Sequence, residues 1–270
     1  MRTEQRRREI VRRLYLIGYV EARELAAELG VDTSTIRRDL EALSRAGHVQ
    51  RTHGGARLVS GAVDLPYEIK RRERLAAKEA IGRAAAELVA DGQSVALDSG
   101  STTYELATQL RARQDLTIVT NDLRIAQLFA SYPGVRLLVS GGELLRSTYT
   151  LVGERAVAFV RELSVDWAFL GADAIDTEGI TNTNTIEIPL KRAMLAVART
   201  TAVLADSSKF GRRALVRVAE IGEVDRVITD DELPDELAAG LGGALQRVAV
   251  ASPPVTAERI VDGRTLDVTR

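Results

Sequence analysis

The sequence predicts an α/β protein in two parts: an N-terminal winged helix-turn-helix domain followed by a mainly parallel α/β domain. Three observations carry this. Within residues 1–58, two short amphipathic helices are separated by Gly30-Val31 and followed by a basic hairpin. After Gly92, short apolar runs alternate with segments of helical period, the pattern of a parallel sheet covered on both faces. Charge is also divided along the 270 residues. Residues 1–58 hold 12 Arg against 8 Asp and Glu, a net of +4, and the remainder is −5, so a net charge of −1 hides a basic head on an acidic body.

The first residues, MRTEQRRREIVRRL, are too charged for the apolar core of a signal peptide. They read as a helix with Ile10, Leu14 and Ile17 facing inward and Arg6, Arg7, Arg8, Arg12 and Arg13 outside. Glu21 to Leu29 is a second amphipathic helix. In the third, Asp32 or Thr33 supplies the N-cap, Ile36, Leu40 and Leu43 form the apolar stripe, and Gly47 supplies the left-handed stop. Roughly opposite the stripe lie Ser34, Arg38, Glu41 and Arg45, with Thr35 and Arg37 on its flanks. An apolar back with an Arg/Ser/Thr front suits the major groove, where guanidinium forks read guanine or clamp phosphates. His48 to Arg51 and Ala56 to Val59 form two small strands around Thr52-His53-Gly54-Gly55. From this wing Arg51 and Arg57 reach DNA phosphates, with His53 beside them. Turn glycine, stripe and basic wing agree in register, which outweighs a helical subdomain whose arginines are merely solvated.

Val59 to Pro66 is a linker of small and turn-forming residues. Tyr67 to Ala90 reads as one long helix joining the domains, charged in its first half and alanine-rich in its second. The strand runs that follow are Ser94–Leu97, Leu116–Thr120, Val135–Val139, Val165–Leu170, Ala202–Ala205, Arg226–Thr229 and Arg247–Ala251. Helical segments between them include Thr102–Leu110, Leu123–Phe129, Ala156–Leu163 and Leu190–Ala198. The expected division is a DNA-binding domain over 1–58, linker and connecting helix over 59–76, an effector-binding domain over 77–251, and a tail over 252–270 without a core pattern.

Composition excludes several classes. There is no cysteine, hence no disulfide, Cys-type zinc finger or thiol catalysis. Both histidines, His48 and His53, lie in the wing, which argues against a metal site or a histidine-based triad in the larger domain. No apolar run approaches the roughly 20 residues that span a bilayer, so a cytoplasmic protein without membrane attachment or cofactor is expected. Aromatics make up 4% of residues and do not cluster in the basic head, which disfavours an RNA-binding adaptor.

In open parallel sheets, ligands sit beyond the carboxyl ends of strands. There the sequence places Asp98-Ser99-Gly100-Ser101-Thr102-Thr103, a loop opening a helix, with small residues and exposed N–H groups suited to a phosphate. Thr120-Asn121-Asp122, Ser140-Gly141-Gly142, Gly171-Ala172-Asp173 with the following Gly179–Thr185, and Asp206-Ser207-Ser208-Lys209 end the next four strands. Five such loops imply a concave site for a polar, anionic ligand. The chain has 33 Arg but only four Lys. A Lys in a Ser-Ser-Lys loop then suggests a need for a compact ammonium, so Lys209 is assigned to the ligand. Lys191 reads instead as a surface ion pair with Glu187 at i,i+4.

The run STIRRDLEAL followed by RTHGGA resembles the N-terminal signature of the DeoR family of bacterial transcription regulators, with Asp32 where the family usually carries Ser. LDSGSTT, VTNDL, SGGEL, VGERA, FLGADAI, LKRAM, LADSSKFG and DRVITD resemble its effector domain. The resemblance implies a sensor related to sugar-phosphate isomerases that binds a phosphorylated sugar and regulates a catabolic operon. Carried over residue by residue, it puts Ser99 to Thr103, beside Asp98, on the phosphate, and Asn121, Gly141, Asp173, Asn182 and Lys209 around the sugar. The expected protein is a homo-oligomer, dimer or tetramer, on double-stranded operator DNA. The second reading is a sugar-phosphate isomerase-like enzyme using Asp98, Asp173, Asp176, Glu178 and Lys209. The absence of histidine from this domain and the DNA-binding head weigh against it.

Overall fold

The computed structural model describes residues 2–17, 19–45, 49–58, 67–146 and 148–250. The expected Gly47 stop, His48, the Val59–Pro66 linker, the Ile17 side chain and the tail fall outside the described residues.

The N-terminal domain runs α1 (Thr3–Ile17), β1 (Tyr19–Glu21), α2 (Ala22–Leu29), α3 (Thr33–Arg45), β2 (Val49–Arg51) and β3 (Gly55–Leu58). Ile10, Leu14, Leu25, Ile36, Leu40 and Val49 close one small core. Gly30 takes the left-handed conformation (φ 63°) that ends α2, and Asp32 Oδ1 accepts the Ser34 amide at 2.7 Å to start α3. The wing gains a strand not foreseen: β1 pairs with β3, giving an antiparallel order β1-β3-β2. Gly55 permits it, because a Cβ there would lie 1.9 Å from the Val20 carbonyl oxygen. Arg6 is also not outside as expected. It is buried and, with Arg7, holds the buried Asp39 of α3 at 2.5 and 2.8 Å. A carboxylate on the inner face of a helix needs such partners, and this pair fixes α1 to α3.

The expected single connecting helix is broken into α4 (Tyr67–Arg72) and α5 (Leu75–Glu87). Arg74 between them has φ 53°. The Lys78 ammonium donates to the carbonyls of Lys70 and Glu73, closing the end of α4.

The larger domain then follows as β4 (Ser94–Leu97), α6 (Ser101–Leu110), β5 (Leu116–Thr120), α7 (Leu123–Phe129), β6 (Val135–Val139), β7 (Glu143–Leu145), β8 (Thr150–Val152) and α8 (Glu154–Arg161). It continues through β9 (Val165–Gly171), β10 (Ala174–Asp176), β11 (Gly179–Asn182), α9 (Ile188–Val197), β12 (Ala198–Leu204), β13 (Val216–Ala219), β14 (Arg226–Asp230) and β15 (Leu245–Val248). Seven strands form a parallel sheet in the order β15-β14-β12-β9-β4-β5-β6. Two expected strands move: β12 starts at Ala198 directly from α9, and β15 sits earlier than Arg247–Ala251. The β7–β8 hairpin and the antiparallel β10-β11-β13 sheet were not anticipated. One face of the sheet packs on α5, α6 and α7 through Ile81, Leu106, Leu110 and Phe129. The other packs on α8 and α9 through Val160, Ile188, Leu190 and Met194. The chain adds β5 and β6 on one side of β4 and β9 onward on the other. Strand order therefore reverses between β4 and β9, which opens a crevice at their carboxyl ends.

Helices α5 and α6 approach so closely at Gly82 that a Cβ there would meet backbone atoms of Glu105 and Leu106 at 2.8 Å. Gly82→Ala is expected to lower stability by about 1–2 kcal/mol, since overpacking outweighs the gain in helix propensity. A lower urea midpoint with unchanged slope is the corresponding measurement.

Candidate functional site

Two surfaces carry the sequence-assigned residues. On the DNA-binding domain, Ser34, Arg37, Arg38, Arg45, Arg51, His53 and Arg57 are exposed and Thr35 is half-buried. Three of the arginines are braced: Arg45 by Glu41 at 3.5 Å, Arg51 by Glu41 at 3.3 Å and the Arg37 carbonyl at 3.2 Å, and Arg57 by Gln50 at 3.0 Å. The side chains of Arg37 and Arg38 make no hydrogen bond or ion pair among the described residues, so their guanidinium forks are available to a duplex.

The second surface is the crevice at the β4/β9 switch point. Its walls come from Ser99 to Thr102 after β4, Gly171 to Asp173 after β9, Leu204, Ala205 and Lys209 after β12, and Thr148 and Thr150 at the β8 hairpin. Asn182, Glu187, Lys191, Tyr67, Lys70 and Lys78 complete it. No side chain caps α6, so its first-turn amides remain for an anion. Ser99 hydrogen-bonds to Thr150 Oγ1 at 2.6 Å and Asp122 Oδ2 at 3.2 Å. Asp122 is fixed in turn by Arg124 at 2.7 Å.

All four lysines of the chain line this one cleft, while none of the arginines among the described residues does. Lys70 pairs with Asp173 at 3.1 Å. Burial pushes the Asp173 carboxyl up, but Lys70, the Thr183 amide, Lys209 and Lys191 outweigh it and hold it well below the usual carboxylate range. Burial pushes the Lys78 ammonium down to about 8, with Asp206 opposing and Lys209 adding to the shift. Burial also lowers Lys209, helped by Lys70 and opposed by Asp206 and Asp173. The Lys209 ammonium makes no hydrogen bond or ion pair among the described residues. Two neighbouring ammonium groups, neither in an ion pair among the described residues, can receive an anion.

Of the residues assigned from sequence, Ser99, Gly100, Ser101, Thr102, Asp173, Asn182 and Lys209 come together in the cleft. Four do not line it. Asp98 and Asn121 are buried behind it and bonded to each other at 3.4 Å. Thr103 is fully buried and spends its hydroxyl on the Gly100 carbonyl at 2.9 Å. Gly141 is exposed beyond the rim, because β6 is the sheet edge and its loop leads away into β7. The expected surface pairing of Lys191 is corrected outright: it is 2% exposed and bonded to Asp98, with the Gly171 carbonyl accepting a second bond at 2.9 Å. Burial works against its charge, but Asp98 and Glu187 raise its pKa above the ordinary lysine value. Tyr67, Lys70, Lys78, Thr148 and Thr150 were missed. For the lysines the signal existed, since the scarcity argument applied to Lys209 applies equally to the other three.

Both domains have matches among known protein families. Residues 6–62 match the family model of the DeoR-like helix-turn-helix domain, and residues 73–231 that of the DeoR C terminal sensor domain. The chain belongs to the DeoR family of DNA-binding transcriptional regulators. Within that family it is 34% identical over 235 residues to the glycerol-3-phosphate regulon repressor of Escherichia coli (strain K12), covering 87% of this chain and 93% of the relative. It is 37% identical over 232 residues to the HTH-type transcriptional regulator GlpR of Haloferax volcanii, covering 85% and 90%. Among solved structures, ribose 5-phosphate isomerase A from Methanocaldococcus jannaschii is similar over 49% of this chain and 52% of that one, at 21% identity and a TM-score of 0.34. No helix among the described residues of this DeoR-family chain is long and apolar enough to cross a membrane.

Lys191→Met would leave Asp98 buried and uncompensated. The expected cost is about 3–5 kcal/mol, seen as a large drop in melting temperature of the full-length protein.

Proposed function

We propose that this regulator represses a carbohydrate-catabolism operon and is released from operator DNA by a phosphorylated sugar bound in the β4/β9 cleft. The observation that carries the reading is the gathering of every lysine in the chain around one cleft that also holds the α6 N-terminus. Such a cleft suits a phosphate monoester, and the small hydroxyl and amide side chains beside it suit a polyol. The name of the Escherichia coli relative, a repressor of a glycerol-3-phosphate regulon, supports the same ligand chemistry.

The phosphate is assigned to Ser99 to Thr102, with Lys78 and Lys209 supplying charge, and the sugar to Asp173 and Asn182. DNA is assigned to Ser34, Thr35, Arg37 and Arg38 for base edges and to Arg45, Arg51, His53 and Arg57 for the backbone. Two such heads in a symmetric oligomer would address two half-sites. This work belongs in the cytoplasm. The isomerase alternative finds less support, because Asp98 is neutralised behind the cleft and Asp176 and Glu178 pair with Arg213 outside its walls.

A thermal-shift panel of sugar phosphates, glycerol 3-phosphate and their unphosphorylated parents tests the reading. A rise in midpoint with one phosphorylated compound and none with its parent is expected; no rise across the panel would refute the effector assignment. The affinity of that compound should fall as pH rises through about 8, because Lys78 loses its charge there. Titrations at pH 7 and pH 9 measure this, and Lys78→Met should flatten the difference. Arg38→Ala is expected to weaken binding to a promoter fragment selected by the wild type by about tenfold to a hundredfold. Gel-shift titration reads that loss, while the effector response stays intact.

A further inference from the structure

We infer that Tyr67 and Lys70, on the helix that leads from the DNA-binding domain into the sensor domain, are effector-binding residues, so that α4 is the outer wall of the site. This rests on the reading of the cleft as a sugar-phosphate site. It goes beyond both family matches, which end at residue 62 and resume at residue 73.

Four observations converge. Tyr67 is 3% exposed, lines the cleft, and its hydroxyl has no hydrogen-bond partner. Its ring is gripped on two sides, by the Arg124 guanidinium stacked on its face and by Tyr104 edge-on at 6.2 Å. The aromatic body is therefore held while the polar end goes unsatisfied, and leaving a buried donor unpaired is costly unless a ligand oxygen completes it. Lys70, one turn further on, reaches across to Asp173 on the opposite wall at 3.1 Å. Finally, α4 places Tyr67 and Lys70 in the cleft lining together with Ser99 to Thr102 and Asp173, so a ligand that fills the cleft touches α4. The Lys78 ammonium, which also lines the cleft, holds the end of α4 through the Lys70 and Glu73 carbonyls. Any anion that recruits Lys78 acts on the same helix.

The test uses the full-length protein with glycerol 3-phosphate, glucose 6-phosphate, fructose 1-phosphate and galactosamine 6-phosphate. Tyr67→Phe removes only a hydroxyl without a protein partner, so the melting temperature without ligand should be unchanged or higher. For the sugar phosphate that stabilises the wild type, Kd should weaken about fivefold to tenfold in Tyr67→Phe and further in Lys70→Met. Hydrogen exchange of the residue 67–72 amides should slow when that compound is bound. Wild-type affinity in both variants, with Lys209→Ala unresponsive, would overturn the role of α4 and leave the effector reading standing. No response of the wild type to any of the four would remove both.

Discussion

The architecture turns on one buried ion pair at the switch point of the sheet. Asp98 at the end of β4 accepts the Lys191 ammonium from α9 and the Gly171 amide from the end of β9 at 3.2 Å. Lys191 returns a bond to the Gly171 carbonyl at 2.9 Å, and Asn121, after β5, donates to the other Asp98 oxygen at 3.4 Å. Three strand ends and one helix are thus tied at the point where the crevice opens. Desolvating two charges costs several kcal/mol each, and well-packed apolar residues would fill the same space at lower cost. What the pair supplies is a polar floor of fixed geometry in which the carboxylate is already neutralised. An anion arriving above it meets no bare negative charge.

The remaining charges of the cleft extend the same logic. Asp173 is matched by Lys70, and Asp206 and Asp230 are matched from outside by Arg74 at 3.2 and 2.8 Å. With the carboxylates spoken for, Lys78 and Lys209 are left in excess, and their mutual repulsion and burial are offset when an anion binds. A lysine presents a compact, rotatable ammonium there, where an arginine would bring a planar fork of fixed geometry. That accounts for lysine persisting here in a chain that otherwise uses arginine.

How much of this the sequence discloses follows from which interactions are local. Strands β4, β5 and β6 and helix α7 were readable to the residue, since period and punctuation act over a few positions. Helix α3 was readable because its stripe, cap and charged face coincide. The break between α4 and α5 was not, because it depends on a left-handed Arg74 and on the reach of Lys78 back over the turn. Lys191 misled because a Glu at i−4 satisfies the local rule on any helix; only the docking of α9 against β9 shows that the residue is inside. Arg6 misled similarly. Its partner Asp39 lies 33 residues away, and an acidic residue next to the Ile36–Leu40 stripe was the overlooked sign. β1 has three residues, too few for any period to register.

Coupling between the two domains is constrained by what joins them. Arg72 of α4 pairs with Glu4 of α1 at 3.1 Å, but both side chains are more than half exposed. A solvated pair of this kind contributes a few tenths of a kcal/mol. A tenfold difference in operator affinity between liganded and free protein requires about 1.4 kcal/mol. That surface contact is therefore too weak to supply such a coupling by itself. The stronger attachments of α4 all face the sensor domain: the Lys70–Asp173 pair, the enclosed Tyr67 ring and the Lys78 bonds to its last carbonyls. A ligand that altered those attachments would act on the first helix after the DNA-binding domain. By linkage, operator DNA that fixes the head must alter effector affinity by the same factor.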